Sequence, residues 1–179
     1  IDQWCQQHQG LPYDRSGAWS AGGKVDNTLL QALQADPYFA LQPPKSTGRE
    51  YFNIDWLGKT ASAHGLQLDA AQDIQATLTE LTATTVIESL KTWGGGIKTL
   101  VVCGGGRLND DLMHRIRQAA ARLTPIPSLI EPSEYWGIDG DAIEAAAFAW
   151  LAHRRLQHLP GNVPEVTGAV GERVLGAIY

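Results

Sequence analysis

The sequence predicts an α/β fold in which a few strands are covered by helices, and three observations carry that prediction. The apolar run Leu100-Val101-Val102-Cys103 stops at three consecutive glycines, Gly104, Gly105 and Gly106, and a stretch with Leu112, Met113, Ile116, Ala120 and Leu123 on one side follows. A buried strand, a glycine turn and an amphipathic helix make that pattern. Upstream, Ile74, Leu78 and Leu81, then Ala83, Ile87 and Leu90, repeat at i, i+4, i+7, the period of one helical face. Downstream, Ala145 to Ala152 is apolar at every position, which predicts a helix buried on all sides.

Taken in order, residues 10 to 58 are rich in turn formers, among them Gly10, Pro12, Gly17, Gly22-Gly23, Pro37 and Pro43-Pro44. They read as helix and loop, with one short helix placing Val25, Leu29, Leu30 and Leu33 at helical spacing. Asp69 followed three residues later by Gln72 predicts a capping box at the start of a long helix that reaches about Leu90 and packs against a sheet. Trp93-Gly94-Gly95-Gly96 ends it, and Asn109 is placed to cap the helix after the glycines. Ile126 to Ile130 predicts a second strand, and Asp141 opens the apolar helix. Pro160-Gly161-Asn162 closes that helix, leaving Val174 to Tyr179 as a short terminal segment. The opening Ile1-Asp2-Gln3-Trp4, without a methionine, reads as a helix entered part-way and predicts a piece of a longer protein.

Composition narrows the partners. The 179 residues are 44% hydrophobic and 18% charged, with Lys+Arg 14 against Asp+Glu 19 and a net charge of -5. A chain of this length buries about 70% of its unfolded surface, enough for one sizeable core. An acidic balance gives no field for nucleic acid. The two cysteines, Cys5 and Cys103, form no disulfide framework and predict a reducing, cytoplasmic setting. The longest apolar run falls far short of the ~20 residues a membrane helix needs, and no secretory leader is expected.

Candidate chemistry lies in three places. Glycines after a strand let backbone approach a ligand closely, and the next helix offers unpaired N–H groups. Yet residues 104 to 106 make neither G-x-G-x-x-G nor a P-loop, so a ligand loop and a plain tight turn both fit. Lys45-Ser46-Thr47-Gly48-Arg49-Glu50 suits an anionic or sugar ligand, or a solvated loop. Asp139, Asp141 and Glu144 meet a helix dipole, and Glu144, if buried in so apolar a helix, needs a partner. His8, His64, His114, His153 and His158 have no second metal ligand at i+3 or i+4 and read as surface residues, so no metal site is expected. Cys103 reads as a small core residue, and the six tryptophans as core or interface packing.

Several segments together resemble the C-terminal half of bacterial anhydro-N-acetylmuramic acid kinases, of the actin-like sugar kinase superfamily. The resemblance lies in Ile1 to Cys5, Pro37-Tyr38-Phe39, Pro43 to Asn53, Asp73 to Leu78, Val102 to Gly106 with Asn109, Tyr135 to Leu151, and Leu159 through Ala169 to Leu175 onward. It implies the C-terminal lobe of an actin-like ATPase fold (the sugar kinase, Hsp70 and actin type), with residues 1–68 as a helix and loop part and 69–179 as an α/β nucleotide-binding part. It further implies an enzyme that uses ATP, Mg2+ and water to open the ring of 1,6-anhydro-N-acetylmuramic acid, phosphorylating O6 to give N-acetylmuramic acid 6-phosphate for cell-wall recycling. By resemblance Gly104, Gly105, Gly106 and Asn109 receive the adenosine end of the nucleotide, and Glu144 lies near the sugar. Lys45, Ser46, Thr47 and Arg49 belong to a family block of unassigned role. The aspartate expected to activate water belongs to a segment before Ile1, so no catalytic residue is placed in this chain, which alone is expected to be inactive. A homodimer is implied. The alternatives are a non-catalytic nucleotide-binding module and a kinase of another sugar.

Overall fold

The computed structural model describes residues 1–94, 96–122 and 129–178. In chain order the regular elements are α1 (Asp2–Gln9), α2 (Ala18–Ala21), α3 (Asn27–Gln34), α4 (Pro37–Ala40), α5 (Ile54–Ala63), α6 (Ala71–Trp93), β1 (Thr99–Val102), α7 (Asp110–Ala120), β2 (Leu129–Pro132), α8 (Ile143–Leu156) and α9 (Pro164–Thr167). Gly95, Leu123 and the first half of the expected second strand lie outside the described residues.

Helix starts follow local chemistry. Asp26, Asp36, Asn53 and Asn109 cap α3, α4, α5 and α7 with side-chain oxygens that accept backbone N–H groups of the first turn, each such cap being worth about 1 kcal/mol. At α6 the expected box does not form. The cap residue is Ala70, with no side-chain cap bond, because Gln72 Nε2 reaches across and donates to Trp19 O at 2.9 Å. A third aspartate serves the first turn of α2: Asp14 accepts from Trp19 N and Ser20 N, both at 2.9 Å.

Helix α6 is the spine of the chain. Its first half gives Ile74, Leu78 and Leu81 to a core with Trp4, Leu29, Leu33, Leu57 and Ala61. Its second half gives Ala83 and Ile87 to another core with Leu112, Met113, Ile116 and Ile130. Burying a Leu or Ile side chain contributes about 1.5–3 kcal/mol, so the apolar stripe of α6 stabilises both. Thr77 and Thr79 are also buried on α6. Their hydroxyls donate to Asp73 O and Gln75 O one turn back, which satisfies them inside the helix.

Strands β1 and β2 pair in parallel, Thr99 opposite Leu129 and Val102 opposite Pro132, with α7 in the crossover that a parallel pair requires. Leu100, Val102 and Ile130 face the helices. The opposite face is open: Val101 is 43% exposed. Two expectations therefore need correction. The strand is covered on one face only, and Cys103 is exposed, because helices pack on one side of this sheet. Helix α8 departs further from expectation: it contains no buried residue, with Phe148 65% and Trp150 51% exposed. Its uniform apolarity was the reason to expect burial, and α6 and α7 do not supply the covering surface. No helix among the described residues is long and apolar enough to cross a membrane.

Candidate functional site

The glycine loop leaves the C-terminal end of β1, where ligands gather in open α/β sheets. Gly104 has φ 73 and ψ -179, a conformation essentially confined to glycine. Gly105 differs: its φ is not in the left-handed region, and a Cβ built on it would meet nothing within 4 Å. Gly106 has room for a Cβ at ordinary contact with Leu112. Asn109 then closes the loop, its Oδ1 accepting from Leu112 N at 2.9 Å. Gly17, at φ +67, lies against the Asn109 amide so closely that any side chain there would strike it. The first turn of α7 carries Asp110 and Asp111. These favour the helix dipole and disfavour a phosphate at the same place.

Arg107, which the sequence reading did not single out, organises what surrounds the loop. Its side chain is only 4% exposed. Nε donates to Glu134 Oε1 at 2.6 Å, and Nη1 donates to Asp141 Oδ1 at 2.7 Å and to Gly104 O at 3.0 Å. Glu134 Oε1 also accepts from Gly140 N at 3.2 Å, and a side chain on Gly140 would collide with the guanidinium. The bond from Asp141, then that from Glu134, raises the arginine's pKa further above its ordinary value. Glu134 is held below the usual carboxylate range by its own backbone N–H and then by Arg107, and Asp141 by Arg107.

The acidic cluster thus divides. Asp139 Oδ1 accepts from Asp141 N at 2.9 Å, Asp141 grips Arg107, and Glu144 stands exposed in the first turn of α8. The premise that Glu144 is buried is corrected: its carboxylate has no desolvation to repay, because the helix around it is uncovered. The structure brings Gly104, Arg107 and Asp141 together at one end of the sheet, with Gly105, Gly106, Asn109 and Glu144 within a few residues of them along the chain.

Lys45, Ser46, Thr47 and Arg49 sit elsewhere. Lys45 Nζ donates to Tyr38 O and Phe39 O, both at 3.0 Å, and lies 4.9 Å from the Tyr38 ring centroid, so this cation supports its own loop. Ser46, Thr47 and Arg49 are exposed. Behind them Phe39 and Phe52 stack at 5.3 Å, and Trp56 Nε1 and Tyr51 Oη donate to Asp36. Burial alone would raise the Asp36 pKa; the bonds from Trp56, Tyr38 N and Tyr51 outweigh it and hold the group low. A cavity of about 320 Å³ between these rings and α6 is lined by Phe39, Phe52, Asn53, Trp56, Thr82 and Thr85 among others.

Downstream of α8, Asn162 ties the tail to itself, donating to Gly171 O at 3.1 Å and accepting from Arg173 N at 2.6 Å. The five histidines are exposed, and no cluster of three metal-ligating side chains occurs among the described residues.

Comparison with known proteins adds an independent line. A family model described as anhydro-N-acetylmuramic acid kinase matches residues 1–179. The chain is 48% identical over 183 residues to an anhydro-N-acetylmuramic acid kinase of Chromohalobacter salexigens, covering 100% of this chain and 47% of that protein. Against proteins of the same description from Xanthomonas oryzae pv. oryzae and Pseudomonas fluorescens it is 50% identical over 179 residues, covering 45% and 47% of them. The chain spans about half the length of the curated relatives it matches.

Proposed function

The chain belongs to the anhydro-N-acetylmuramic acid kinase family, and from that premise we propose that it is the C-terminal, nucleotide-binding lobe of an actin-like enzyme that phosphorylates 1,6-anhydro-N-acetylmuramic acid at O6. Residues 1–68 form its helix and loop part, and 69–179 its α/β part. The observation that carries this reading is the glycine loop: Gly104 holds a backbone only glycine adopts readily, while Gly105 faces open space. Nothing among the described residues demands a glycine at 105, and a flat nucleotide base laid on the loop would.

The charges agree with which end of the nucleotide lies here. Asp110 and Asp111 disfavour the phosphates, so the adenosine end meets Gly104, Gly105 and Gly106. Asn109 spends its oxygen on the α7 cap and keeps its amide nitrogen for the ligand. The phosphates would carry Mg2+, which would neutralise their charge during transfer, and no carboxylate of this chain is assigned to it.

The chemistry balances simply. The bond between C1 and O6 breaks, water supplies the oxygen left on C1, O6 takes the γ-phosphoryl group and ADP departs. The proton of the water goes to the aspartate expected in the rest of the protein, and transfer relies on positioning and charge stabilisation. Glu144 meets a hydroxyl or amide of the sugar, which suits an exposed carboxylate at the open end of α8; Lys45, Ser46, Thr47 and Arg49 serve the shape of the substrate-side loop. The product, N-acetylmuramic acid 6-phosphate, feeds cell-wall recycling, and the whole protein works as a homodimer.

Assays with ATP and the anhydro-sugar test the proposal. The 179-residue chain alone should give no sugar phosphate, and the full-length protein should. In the latter, Gly105→Val should raise the KM for ATP before it lowers the melting temperature. Turnover by the chain alone, or an unchanged KM for ATP in Gly105→Val, would overturn the assignment.

A further inference from the structure

We infer that Arg107 is a positioning residue that locks the nucleotide loop to the sugar-side end of α8, so that donor and acceptor are presented in one fixed geometry. This rests on the reading of those two segments given above. Its own support is geometric. The guanidinium reaches three separate stretches of chain: Gly104 O in the loop, Glu134 in the turn after β2, and Asp141 just before α8. Packing reinforces charge, since Gly140 leaves space for the guanidinium that any side chain would fill.

The exposure of the participants indicates what the contact is for. Arg107 is shielded, but the side chains of Glu134 and Asp141 are 46% and 70% exposed. Water would solvate these carboxylates without the arginine, whereas the shielded guanidinium needs them as partners. They hold a guanidinium whose remaining bond fixes the Gly104 carbonyl, the residue with the glycine-only backbone. Helix α8, which has no buried residue of its own, gains through Asp141 a fixed point beside the loop. Lysine would keep the charge but not the fork, since one ammonium cannot reproduce a planar set of N–H donors.

The test uses the full-length protein, with ATP and the anhydro-sugar varied separately beside a melting curve. Arg107→Lys should lower kcat by about tenfold while both KM values stay within about threefold, the pattern of lost alignment and not of lost binding. Asp141→Asn should give a smaller fall of the same kind, and the double variant should be no worse than Arg107→Lys alone, because the two act as one unit. If Arg107→Lys does not fold, the Asp141→Asn kinetics decide, since that side chain is exposed.

A lowered melting temperature with normal kcat would overturn the inference, as would effects on kcat that simply add. The two levels separate cleanly. A raised KM for ATP in Gly105→Val beside normal kcat in Arg107→Lys and Asp141→Asn sinks the clamp alone. An unchanged KM for ATP in Gly105→Val sinks the nucleotide reading, and the clamp with it.

Discussion

Helices α3 and α8 are both rich in apolar residues, yet they end in opposite situations. In α3 Leu29 and Leu33 are fully enclosed by α5, α6 and Trp4. In α8 Phe148, Trp150 and Leu156 stand more than half exposed. The contrast teaches that apolar content states how much surface a helix will hide, whereas the periodicity of that content states whether one neighbour suffices. The stripe of α3 fits a single groove. The all-round apolarity of α8 calls for cover from several directions, and its own tail supplies some of it, where Gly161 lies against Leu151 and Leu175.

The sharpest way to break this comparison is to truncate one residue from each helix in the isolated chain and follow urea unfolding. Leu33→Ala should cost about 2–5 kcal/mol, the usual penalty for emptying a core site, while Phe148→Ala should stay within about 0.5 kcal/mol. In the full-length protein the Phe148→Ala cost should rise if other parts of the chain cover α8; equal costs for both variants in the isolated chain would erase the distinction.

The glycine loop holds a second contrast, of intermediate size. Gly104→Ala should destabilise by about 1–3 kcal/mol because the backbone conformation resists a Cβ, and Gly105→Ala should fall within about 0.5 kcal/mol. Thermal melts of the two variants side by side check this.

Glu144 gives a smaller effect of a different kind. Glu144→Gln should lower kcat/KM for the sugar at least about tenfold, roughly 1.4 kcal/mol, and stability by only about 0.3–1 kcal/mol, the worth of a charge at a helix end. Loss of stability with normal sugar kinetics would remove Glu144 from the site.

The smallest effect is a dependence on pH. The Glu134 and Asp141 carboxyls are depressed from ordinary values of 4.5 and 3.8, so their contribution is complete above that range and is lost as pH falls through the lower folded-state values. The parent should therefore lose stability on acidification, and Glu134→Gln should show a shallower acid limb. Identical limbs would mean that this pair adds nothing.

The elements with strong periodicity or clear punctuation were legible from sequence: α6, β1, the glycine turn and the Asn109 cap stand close to where Ile74 to Leu90, Leu100 to Cys103 and Asn109 predicted them. What escaped depends on distant partners. Arg107 looks like a solvated residue beside a loop, because its two carboxylates lie 27 and 34 residues away. The usable signal is Asp141, which in sequence reads only as a partner of the helix dipole. Gln72 escapes for the same reason, since its partner Trp19 is 53 residues distant. Cys103 and α8 read as buried in sequence because hydrophobicity reports a preference for cover and is silent on which surface provides it.

The threonines of α6 carry a consequence for how such a sequence can drift. The hydroxyls of Thr79, Thr82 and Thr85 donate to carbonyls of their own helix, so none of these bonds commits a neighbouring helix to a matching group. Thr77 is different, since its Oγ1 also accepts from Asp26 N, 51 residues away. Among relatives, Thr79 should exchange readily for residues of similar size without any answering change opposite. Thr77 should change only where the start of α3 changes too, so two residues two positions apart on the same helix would accumulate substitutions at quite different rates.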